Sequence, residues 1–297
     1  MREIDMGIFG INNCYESYLQ TVERNRDREI VKTPWSNLNE KLGGGLYAGL
    51  YCIGAISSLG KTAFCLQMAD FIAESGHPVI FYSLEMPVAE LISRSISRLT
   101  FLDNPMNNEN LSTNQILYGK CDLEKFAKYT NQYFDKATFL NLQEGDFMTS
   151  VNTIEKHIVN FVDTVKVKPV VFIDYLQVVK PKIVLDSKGN EKYMNERQEI
   201  ENVVINLKQL SKKYDLTIFV ISSFNRSNYS NSVSFESFKE SGLIEYTSDV
   251  VMGLQLRIID DVNNKDNNLK DKLKIAKEKN PREVKLVILK QRNGKIL

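Results

Sequence analysis

An eight-residue stretch of the chain has the residue types and the spacing of a phosphate-binding loop: Ala55-Ile56-Ser57-Ser58-Leu59-Gly60-Lys61-Thr62. It follows a short apolar run and precedes a segment with helical periodicity, which favours such a loop over a chance Gly-Lys-Thr. Backbone N–H groups of the loop and of the helix start, up to Ala63, would face a β-phosphate. Lys61 would reach the β- and γ-phosphates, and the Thr62 hydroxyl would bind Mg²⁺. Ala55 replaces the first glycine of the strict pattern, but it is small enough to let the backbone turn closely.

A second candidate site residue is the carboxylate of Asp174. Four apolar residues, 170–173, precede it, so an acid stands at the end of a predicted buried strand. Many strands end in Asp, and alone this pattern carries little weight. Combined with Lys61 and Thr62, it predicts a Walker B carboxylate, which would hold Mg²⁺ directly or through water.

The elements that must position these residues alternate between strands and helices. Apolar, β-branched runs predict strands at 50–53, 78–82, 170–173, 217–221, 250–256 and 284–289. Helical periodicity covers 62–74, 88–99, 122–134, 154–165 and 200–214. Residues 103–122 are Asn-rich and turn-like, and the polar, lysine-rich stretch 260–281 predicts a mobile excursion between two strands. The alternation predicts an α/β fold with a mostly parallel sheet flanked by helices.

The composition limits the class of protein. With 297 residues, 43% of them hydrophobic, the chain can bury a sizeable core in one large or two small domains. Its 38 Lys and Arg against 37 Asp and Glu exclude a polycation and assign any nucleic-acid contact to local loops. The N-terminal MREIDMGIF carries charge before any apolar run, unlike a signal peptide, and no apolar stretch is long enough for a membrane span. We expect a soluble, cytoplasmic protein without membrane contact.

The cysteines do not suggest a metal site. Cys14, Cys52, Cys65 and Cys121 are scattered without a C-x-x-C pair, and only two histidines accompany them. This spacing argues against bound zinc. We expect the four thiols to be small buried hydrophobic groups in a reducing compartment.

Residues 1–32 differ from the rest of the chain. Tyr15, Tyr18, Leu19 and Val22 recur at the spacing of one helix face, which predicts a short amphipathic helix. The charged run that follows, ERNRDRE, has no apolar face and is typical of a linker. The apolar stripe must pack either on its own domain or on a neighbouring subunit, and the sequence leaves both open.

Seven short blocks of the sequence follow one another in the order of a known family. They are Gly43-Gly44-Gly45-Leu46, Ser57-Ser58-Leu59-Gly60-Lys61-Thr62-Ala63-Phe64, Phe81-Tyr82-Ser83-Leu84-Glu85-Met86, Ile173-Asp174-Tyr175-Leu176-Gln177, Phe224-Asn225-Arg226-Ser227, Glu240-Ser241-Gly242-Leu243-Ile244-Glu245 and Lys290-Gln291-Arg292-Asn293-Gly294. Together they resemble the ATPase core of DnaB-type replicative DNA helicases. The resemblance implies a RecA-like P-loop NTPase domain at 33–297 that uses ATP and Mg²⁺, preceded by a linker helix in the arm 1–32.

The resemblance also assigns catalytic roles. Glu85 ends a predicted strand, 78–84, beside the phosphate-loop strand, where its carboxylate would orient the attacking water; a surface Glu capping the next helix is the alternative. In similar helicases, a pair corresponding to Lys290 and Arg292 reaches the neighbouring subunit's ATP, and the arginine stabilises charge on the leaving phosphoryl group. Without the resemblance, this pair would be a solvated basic turn. A shared active site implies a homo-oligomer, here a hexameric ring.

Two loops are expected to bind single-stranded DNA, because such loops line the central channel in the family. Loop 180–197 is modestly basic, with Lys180, Lys182, Lys188, Lys192 and Arg197 against Asp186, Glu191 and Glu196. Loop 226–241 holds Arg226 and Lys239, with Tyr229, Phe235 and Phe238 available for packing or for stacking on bases. An ordinary solvated loop is the alternative for each.

Three features depart from the family. Ser223 stands where the family typically has a glutamine that senses the γ-phosphate, and the shorter hydroxyl puts the coupling of hydrolysis to DNA movement in doubt. The given chain has no counterpart of the helical collar domain that recruits primase. Leu297 stands where relatives continue into a further strand, which leaves a fragment and a naturally short protein both open.

Two functional hypotheses follow. The first is an ATP-dependent helicase of DnaB type that oligomerises, moves on single-stranded DNA and unwinds duplex. The second is a RecA-like ATP-binding regulator or assembly factor from a mobile element, which binds nucleotide and a protein partner without unwinding. Ser223 and the missing collar favour the second; Glu85, Asp174, Lys290 and Arg292 favour the first, which we prefer.

Overall fold

Strands and helices alternate along the chain as the apolar periodicity predicts. The computed structural model describes residues 10–26, 30–105, 110–146, 148–183, 189–190, 193–225, 231–238, 241–261, 269–279 and 281–292. The strands within these residues are β1 (Gly49–Ala55), β2 (Val79–Ser83), β3 (Leu140–Glu144), β4 (Val170–Asp174), β5 (Thr217–Ser223), β6 (Val250–Leu256) and β7 (Val284–Gln291). The helices are α1 (Tyr15–Arg26), α2 (Ser36–Lys41), α3 (Lys61–Glu74), α4 (Val88–Asp103), α5 (Thr113–Leu117), α6 (Leu123–Lys136), α7 (Val151–Val165), α8 (Glu196–Tyr214), α9 (Ser241–Thr247), α10 (Ile258–Asp261) and α11 (Leu269–Glu278).

The strands of the described residues form one sheet in the order β3-β2-β4-β5-β1-β6-β7. Neighbouring strands from β3 to β6 are parallel, and β7 joins β6 in the antiparallel sense. Parallel strands covered by helices on both faces are buried, which explains why β1, β2 and β4 are nearly continuous apolar runs. The carboxyl ends of the parallel strands lie at one edge, where the phosphate loop and Asp174 stand.

A stacked row of phenylalanines holds the middle of the sheet against α3. Phe81 on β2 lies over Phe172 on β4, with 5.7 Å between ring centroids, and Phe172 stacks on Phe219 of β5 at 4.7 Å. All three side chains are fully buried. Each buried aromatic ring stabilises the fold by a few kcal/mol, so this row fixes the spacing of the strands that carry the site.

Three local expectations from the sequence were incomplete. β3 was not predicted, because its residues Leu140–Glu144 alternate with polar side chains at a sheet edge and are only partly buried. The turn-like segment 103–122 contains α5, which begins with a capping box between Ser112 and Gln115. The excursion predicted at 260–281 contains the end of α10 and all of α11, so most of its described residues are helical.

The arm forms the predicted helix, and its apolar stripe remains in solvent. Tyr15 and Tyr18 are each 63% exposed, Leu19 is 40% exposed and Val22 is 45% exposed. The helix α1 extends to Arg26, so the first half of the predicted linker is helical, and its second half lies outside the described residues. No described helix is long and apolar enough to cross a membrane.

The expectation of four buried thiols was partly wrong. Cys52 on β1 and Cys65 on α3 are fully buried in the core. Cys121 is only half-buried, and Cys14 is exposed because it lies beside the arm helix rather than within the domain.

Candidate active site

The predicted phosphate loop connects the end of β1 to the start of α3. Gly60 has a φ of 99°, a left-handed conformation that a side chain would strain, and α3 begins at the next residue, Lys61. Ser57 and Ser58 are exposed, whereas Leu59 is buried and anchors the loop in the core. The first residues of α3, 61–63, are partly or fully exposed at the sheet edge, where a bound anion would meet the N–H groups of the helix start.

The base of this loop is closely packed around Gly54, the residue before Ala55. A Cβ atom on Gly54 would lie 2.2 Å from the Phe224 ring and 2.4 Å from the Phe238 ring. These rings meet edge to face with 5.0 Å between their centroids. Phe238 is therefore a packing residue under the phosphate loop and is not available to stack on bases.

Thr62 and Asp174 meet directly at the edge of the sheet. The Thr62 hydroxyl donates a 2.6 Å hydrogen bond to Oδ2 of Asp174, which ends β4. Asp174 is 2% exposed. Burial raises the pKa of its carboxyl group to about 6, the nearby charge of Glu85 adds to the rise, and the Thr62 hydrogen bond opposes it. A hydroxyl and a carboxylate in contact are oxygen ligands of the type that Mg²⁺ prefers.

The Lys61 ammonium group lies in the same cluster of charges. It donates 3.4 Å hydrogen bonds to the carbonyl oxygens of Ala55 and Ile56, so the loop curls around it. Burial lowers the pKa of Lys61, while the charges of Asp174 and Glu85 oppose the shift. The cation is therefore held at the loop by its backbone and by two nearby acids.

Glu85 lies close to Asp174, but its strand is not beside the phosphate-loop strand. β4 and β5 separate β2 from β1, so that part of our prediction was wrong. The register between β2 and β4 pairs Ser83 with Asp174, and the Leu84 amide donates to the Asp174 carbonyl at 2.7 Å. This pairing brings Glu85, which is exposed, to the mouth of the site. Glu85 is therefore close to Asp174 because β2 pairs with β4, the strand that ends in the Walker B carboxylate.

Two arginines that the sequence analysis did not identify border the site. Arg94 on α4 pairs with Glu90 at 2.9 Å, and its charge acts to lower the pKa of Asp174. Arg282, just before β7, donates a 2.6 Å hydrogen bond to the carbonyl oxygen of Ser58 in the phosphate loop. Both line an open cleft of about 870 Å³ that extends from Gly60 along α3. Arg282 directly follows the lysine-rich stretch 260–281, and only tertiary structure distinguishes it from the neighbouring cations.

Ser223, which stands where the resemblance led us to expect a glutamine, lies at the base of the site. Ser223 ends β5 and pairs in register with Ala55, so it occupies the sheet edge next to the phosphate loop. One residue earlier, the buried Ser222 hydroxyl accepts a 3.0 Å hydrogen bond from the Gln177 side chain. The amide of Gln177 therefore lies near the strand end at which the family's glutamine is absent.

Lys290 and Arg292 lie at the opposite edge of the sheet from the phosphate loop. β7 runs antiparallel to β6, so its end, Gln291, pairs with Val250 at the start of β6. The Arg292 amide donates to the Asp249 carbonyl at 3.0 Å. The seven residues of β1 separate the two edges by roughly 20 Å, at about 3.3 Å per residue. The structure thus brings Lys61, Thr62, Glu85 and Asp174 together and leaves the basic pair apart from them.

The described parts of the two predicted DNA loops contain few free cations. Lys182 binds Glu155 at 2.7 Å, and Arg197 binds Glu201 at 3.0 Å. Lys180 is exposed. Phe235 is partly buried against the core. The other predicted contacts, Lys188, Lys192, Arg226, Tyr229 and Lys239, lie outside the described residues, as do the opposing acids Asp186 and Glu191.

Comparison with known sequences agrees with this geometry. Residues 31–297 match the family described as DnaB-like helicase C terminal domain. The replicative DNA helicase DnaB of Geobacillus stearothermophilus is 26% identical over 287 residues, which cover 92% of this chain and 54% of that protein. The replicative DNA helicase DnaB of Treponema pallidum is 24% identical over 295 residues, which cover 96% and 58%. The chain therefore spans a little over half the length of these relatives.

Comparison with solved structures supports the same fold. One solved structure, described as an ATPase domain, superposes with a TM-score of 0.71 at 20% identity, over 97% of this chain and 93% of that chain. A DnaB-like replicative helicase, described with its interactions with primase, gives a TM-score of 0.71 at 20% identity, over 100% and 65%. The predicted RecA-like α/β fold is confirmed.

Proposed function

Because this chain belongs to the family of DnaB-like helicase C-terminal domains, we propose that it is an ATPase that drives movement along single-stranded DNA and unwinds duplex. The observation that carries the proposal is the contact between Thr62 and Asp174 beside the loop that leads from β1 into α3. A hydroxyl and a buried carboxylate in contact at the mouth of a phosphate loop are the parts that phosphoryl transfer requires.

The residues of the site fit ATP and Mg²⁺. The amides of residues 57–63 would hold the phosphates, and Lys61 would neutralise their charge. Thr62 and Asp174 would hold Mg²⁺, which would supply positive charge to stabilise the negative charge that develops on the phosphoryl oxygens. Asp174 must give up its proton for this role, and the Lys61 charge beside it favours the ionised form.

Glu85 is the candidate for the residue that orients the attacking water. Its carboxylate is exposed at the mouth of the site, beside Asp174, where it can accept a proton. General-base groups of this kind contribute about 10²- to 10⁴-fold to a rate. The alternative role as a helix cap receives no support, because the Val88 amide at the start of α4 donates to Glu144 instead.

Arg292 would complete the active site of a neighbouring subunit. It lies roughly 20 Å from the phosphate loop of its own chain, beyond the reach of a side chain. If it acts on ATP, a second copy must supply the phosphate loop. A closed ring of copies, for which a hexamer is our proposal, gives every phosphate loop one such arginine.

Mixed assemblies test the shared site. Lys61→Ala and Arg292→Ala subunits are each expected to be inactive alone, since loss of an arginine finger lowers turnover by about 10³-fold or more. In an equal mixture, about one interface in four joins an intact phosphate loop to an intact arginine, so turnover should recover well above background. Absence of recovery in co-assembled mixtures would show that Arg292 does not act between subunits.

A regulator that binds ATP without unwinding DNA remains the second candidate, and Ser223 favours it. The position beside Ala55 carries a short hydroxyl in place of the family's glutamine. The two candidates differ in a direct measurement. The helicase requires ATP turnover that rises with single-stranded DNA and displacement of a strand from a forked duplex, whereas the regulator shows neither at any protein concentration.

A further inference from the structure

Arg292 and Lys290 are both held by the last turn of α9, and Arg292 also by Asp249, which follows that helix. The Arg292 Nη2 atom donates a 2.7 Å hydrogen bond to the Tyr246 carbonyl, and Nη1 lies 3.6 Å from Oδ1 of Asp249. The Lys290 ammonium group donates to the carbonyls of Glu245 and Tyr246. These carbonyls belong to the last turn of α9, where helix C=O groups have no partner within the helix and attract cations.

The pairing of β6 with β7 is irregular just before Lys290. Val251 of β6 pairs with Lys290, but Met252 pairs with Ile288, so Leu289 is an extra residue in the ladder. Bulges of this kind bend a strand and redirect its side chains. Lys290 and Arg292 are two residues apart and therefore point to the same face, toward the end of α9.

Asp249 is fixed much more firmly than the arginine it contacts. Its Oδ2 atom accepts a 2.7 Å hydrogen bond from the Leu50 amide and an ion pair from Lys208 on α8. Its own amide donates to the Leu50 carbonyl at 2.8 Å. The Asp249 side chain is 15% exposed, against 46% for Arg292. One carboxylate oxygen therefore binds Leu50 and Lys208, and the other faces the guanidinium group of Arg292.

We propose that Asp249 is the positioning residue for Arg292. It would hold the guanidinium group in the direction in which the arginine meets the nucleotide of the neighbouring subunit, and so depends on the shared site proposed above. A long, exposed side chain must lose rotamer freedom to act as a finger, and a fixed carboxylate removes part of that freedom beforehand. Asp249 therefore acts through Arg292 and needs no contact with ATP.

The test begins with Asp249→Asn, which keeps the shape and an oxygen acceptor for the Leu50 amide but removes the negative charge. We expect kcat for ATP to fall by about 10-fold or more, because small misplacements of a catalytic group can lower a rate by up to about 10²-fold. KM should stay within about twofold, because the variant's own phosphate loop is intact. The matched control is Lys213→Met, which removes a cation of the same helix, α8, that pairs with Glu155 instead of Asp249 and should leave kcat unchanged.

Mixing separates a positioning role from damage to the fold. Asp249→Asn subunits mixed with Lys61→Ala subunits should regain turnover, because the Lys61→Ala subunits bring well-placed arginines. Mixed with Arg292→Ala subunits they should regain none, because both partners then lack a working arginine. No recovery with Lys61→Ala, or equal recovery with both, would overturn the role of Asp249.

The mixture of Arg292→Ala with Lys61→Ala tests the shared active site separately from the positioning role of Asp249. Recovery there without recovery of Asp249→Asn would refute the positioning role and leave the shared site standing. No recovery there would refute both. Should Asp249→Asn lose more than a few degrees in Tm, Asp249→Ser, which removes the charge without adding bulk, provides a second variant for the same mixtures.

Discussion

The Thr62 hydroxyl and the Asp174 carboxylate are joined by a 2.6 Å hydrogen bond, and Asp174 is almost completely buried. A carboxylate in this position is poorly solvated, and burial raises its pKa from 3.8 to about 6. The folded chain therefore holds this proton more tightly than the unfolded chain does. The free energy of unfolding falls as the pH rises from about 4 to about 6, and it stays reduced above that range.

We therefore expect Asp174→Asn to stabilise the nucleotide-free protein and to abolish ATP turnover. Asn keeps an oxygen acceptor for Thr62 and carries no charge. At 1.36 kcal/mol for each pKa unit, the gain at pH 7.5 should be on the order of 1–3 kcal/mol, and it should vanish at pH 4. Urea unfolding at both pH values, without nucleotide and Mg²⁺, measures the difference.

Asp103 provides the control for this prediction. It is exposed, and a hydrogen bond from Tyr129 holds its pKa below the ordinary value. Asp103→Asn should therefore bring no stabilisation at pH 7.5 and no loss of turnover. Equal stability of Asp174→Asn and wild type at both pH values would contradict the assigned direction of the Asp174 pKa.

Glu85→Gln is expected to bind ATP normally and to hydrolyse it slowly. Gln keeps the shape of the side chain but cannot accept a proton from water, so kcat should fall by about 10²-fold or more while the Kd for ATP changes little. Single-turnover hydrolysis and equilibrium binding of a fluorescent ATP analogue measure the two effects. Glu74→Gln, which removes an exposed acid paired with Lys136, is the control. Weakened nucleotide binding in Glu85→Gln would instead indicate a role in metal binding or in structure.

Arg282→Gln is expected to raise KM for ATP with little change in kcat. The residue adds a positive charge beside the phosphate loop and holds the Ser58 carbonyl at 2.6 Å. The contact is exposed to solvent, so a loss of about 1 kcal/mol, or roughly threefold to tenfold in KM, is expected. Lys285→Gln removes an equal charge from the same segment, but Lys285 binds Asp260 and should leave KM unchanged. An equal rise in KM for both variants would mean that the loss of any positive charge in this segment weakens ATP binding, and that the contact between Arg282 and Ser58 has no specific role.

Local patterns predicted most of the sheet and the core of the site, because both depend on short-range signals. The run 170–173 before Asp174 and the loop around Lys61 each lie within one strand–turn unit, so the chain order alone brings them to one edge. Strand order is not local. The assumption that the Glu85 strand neighbours β1 was therefore wrong. Glu85 still lies close to Asp174, because its strand, β2, pairs with β4.

Contacts between residues that are far apart in the chain could not be predicted from the sequence. Asp249 meets Leu50, 199 positions away, and Arg282 meets Ser58, 224 positions away. Neither lies in a periodic pattern or a named motif, and only the folded chain selects Arg282 from the cations around it. The burial of Phe238 has the same origin, since it packs on Gly54 of β1, far from it in the chain.

The exposed face of α1 leads to the last prediction. Tyr15, Tyr18, Leu19 and Val22 remain 40–63% exposed, so the stripe is free to pack on a second copy, the alternative that the sequence left open. Burying a large apolar side chain contributes about 1.5–3 kcal/mol, so Tyr18→Ser with Leu19→Ser should weaken self-association by roughly 10²-fold or more.

The choice of variant matters, because removal of all of residues 1–32 would also cut into the domain. Val31 forms a bridge with Leu46, and the Leu46 amide donates to the Val31 carbonyl at 2.8 Å. Point substitutions on α1 avoid this loss. The matched control is Glu16→Ser with Gln20→Ser, outside the apolar stripe of the same helix. Sedimentation velocity over a range of concentrations should show smaller assemblies for the stripe variant and the wild-type distribution for the control. Identical distributions for all three proteins would mean that the stripe does not join subunits, and ring assembly would then have to depend on the ATPase domains alone.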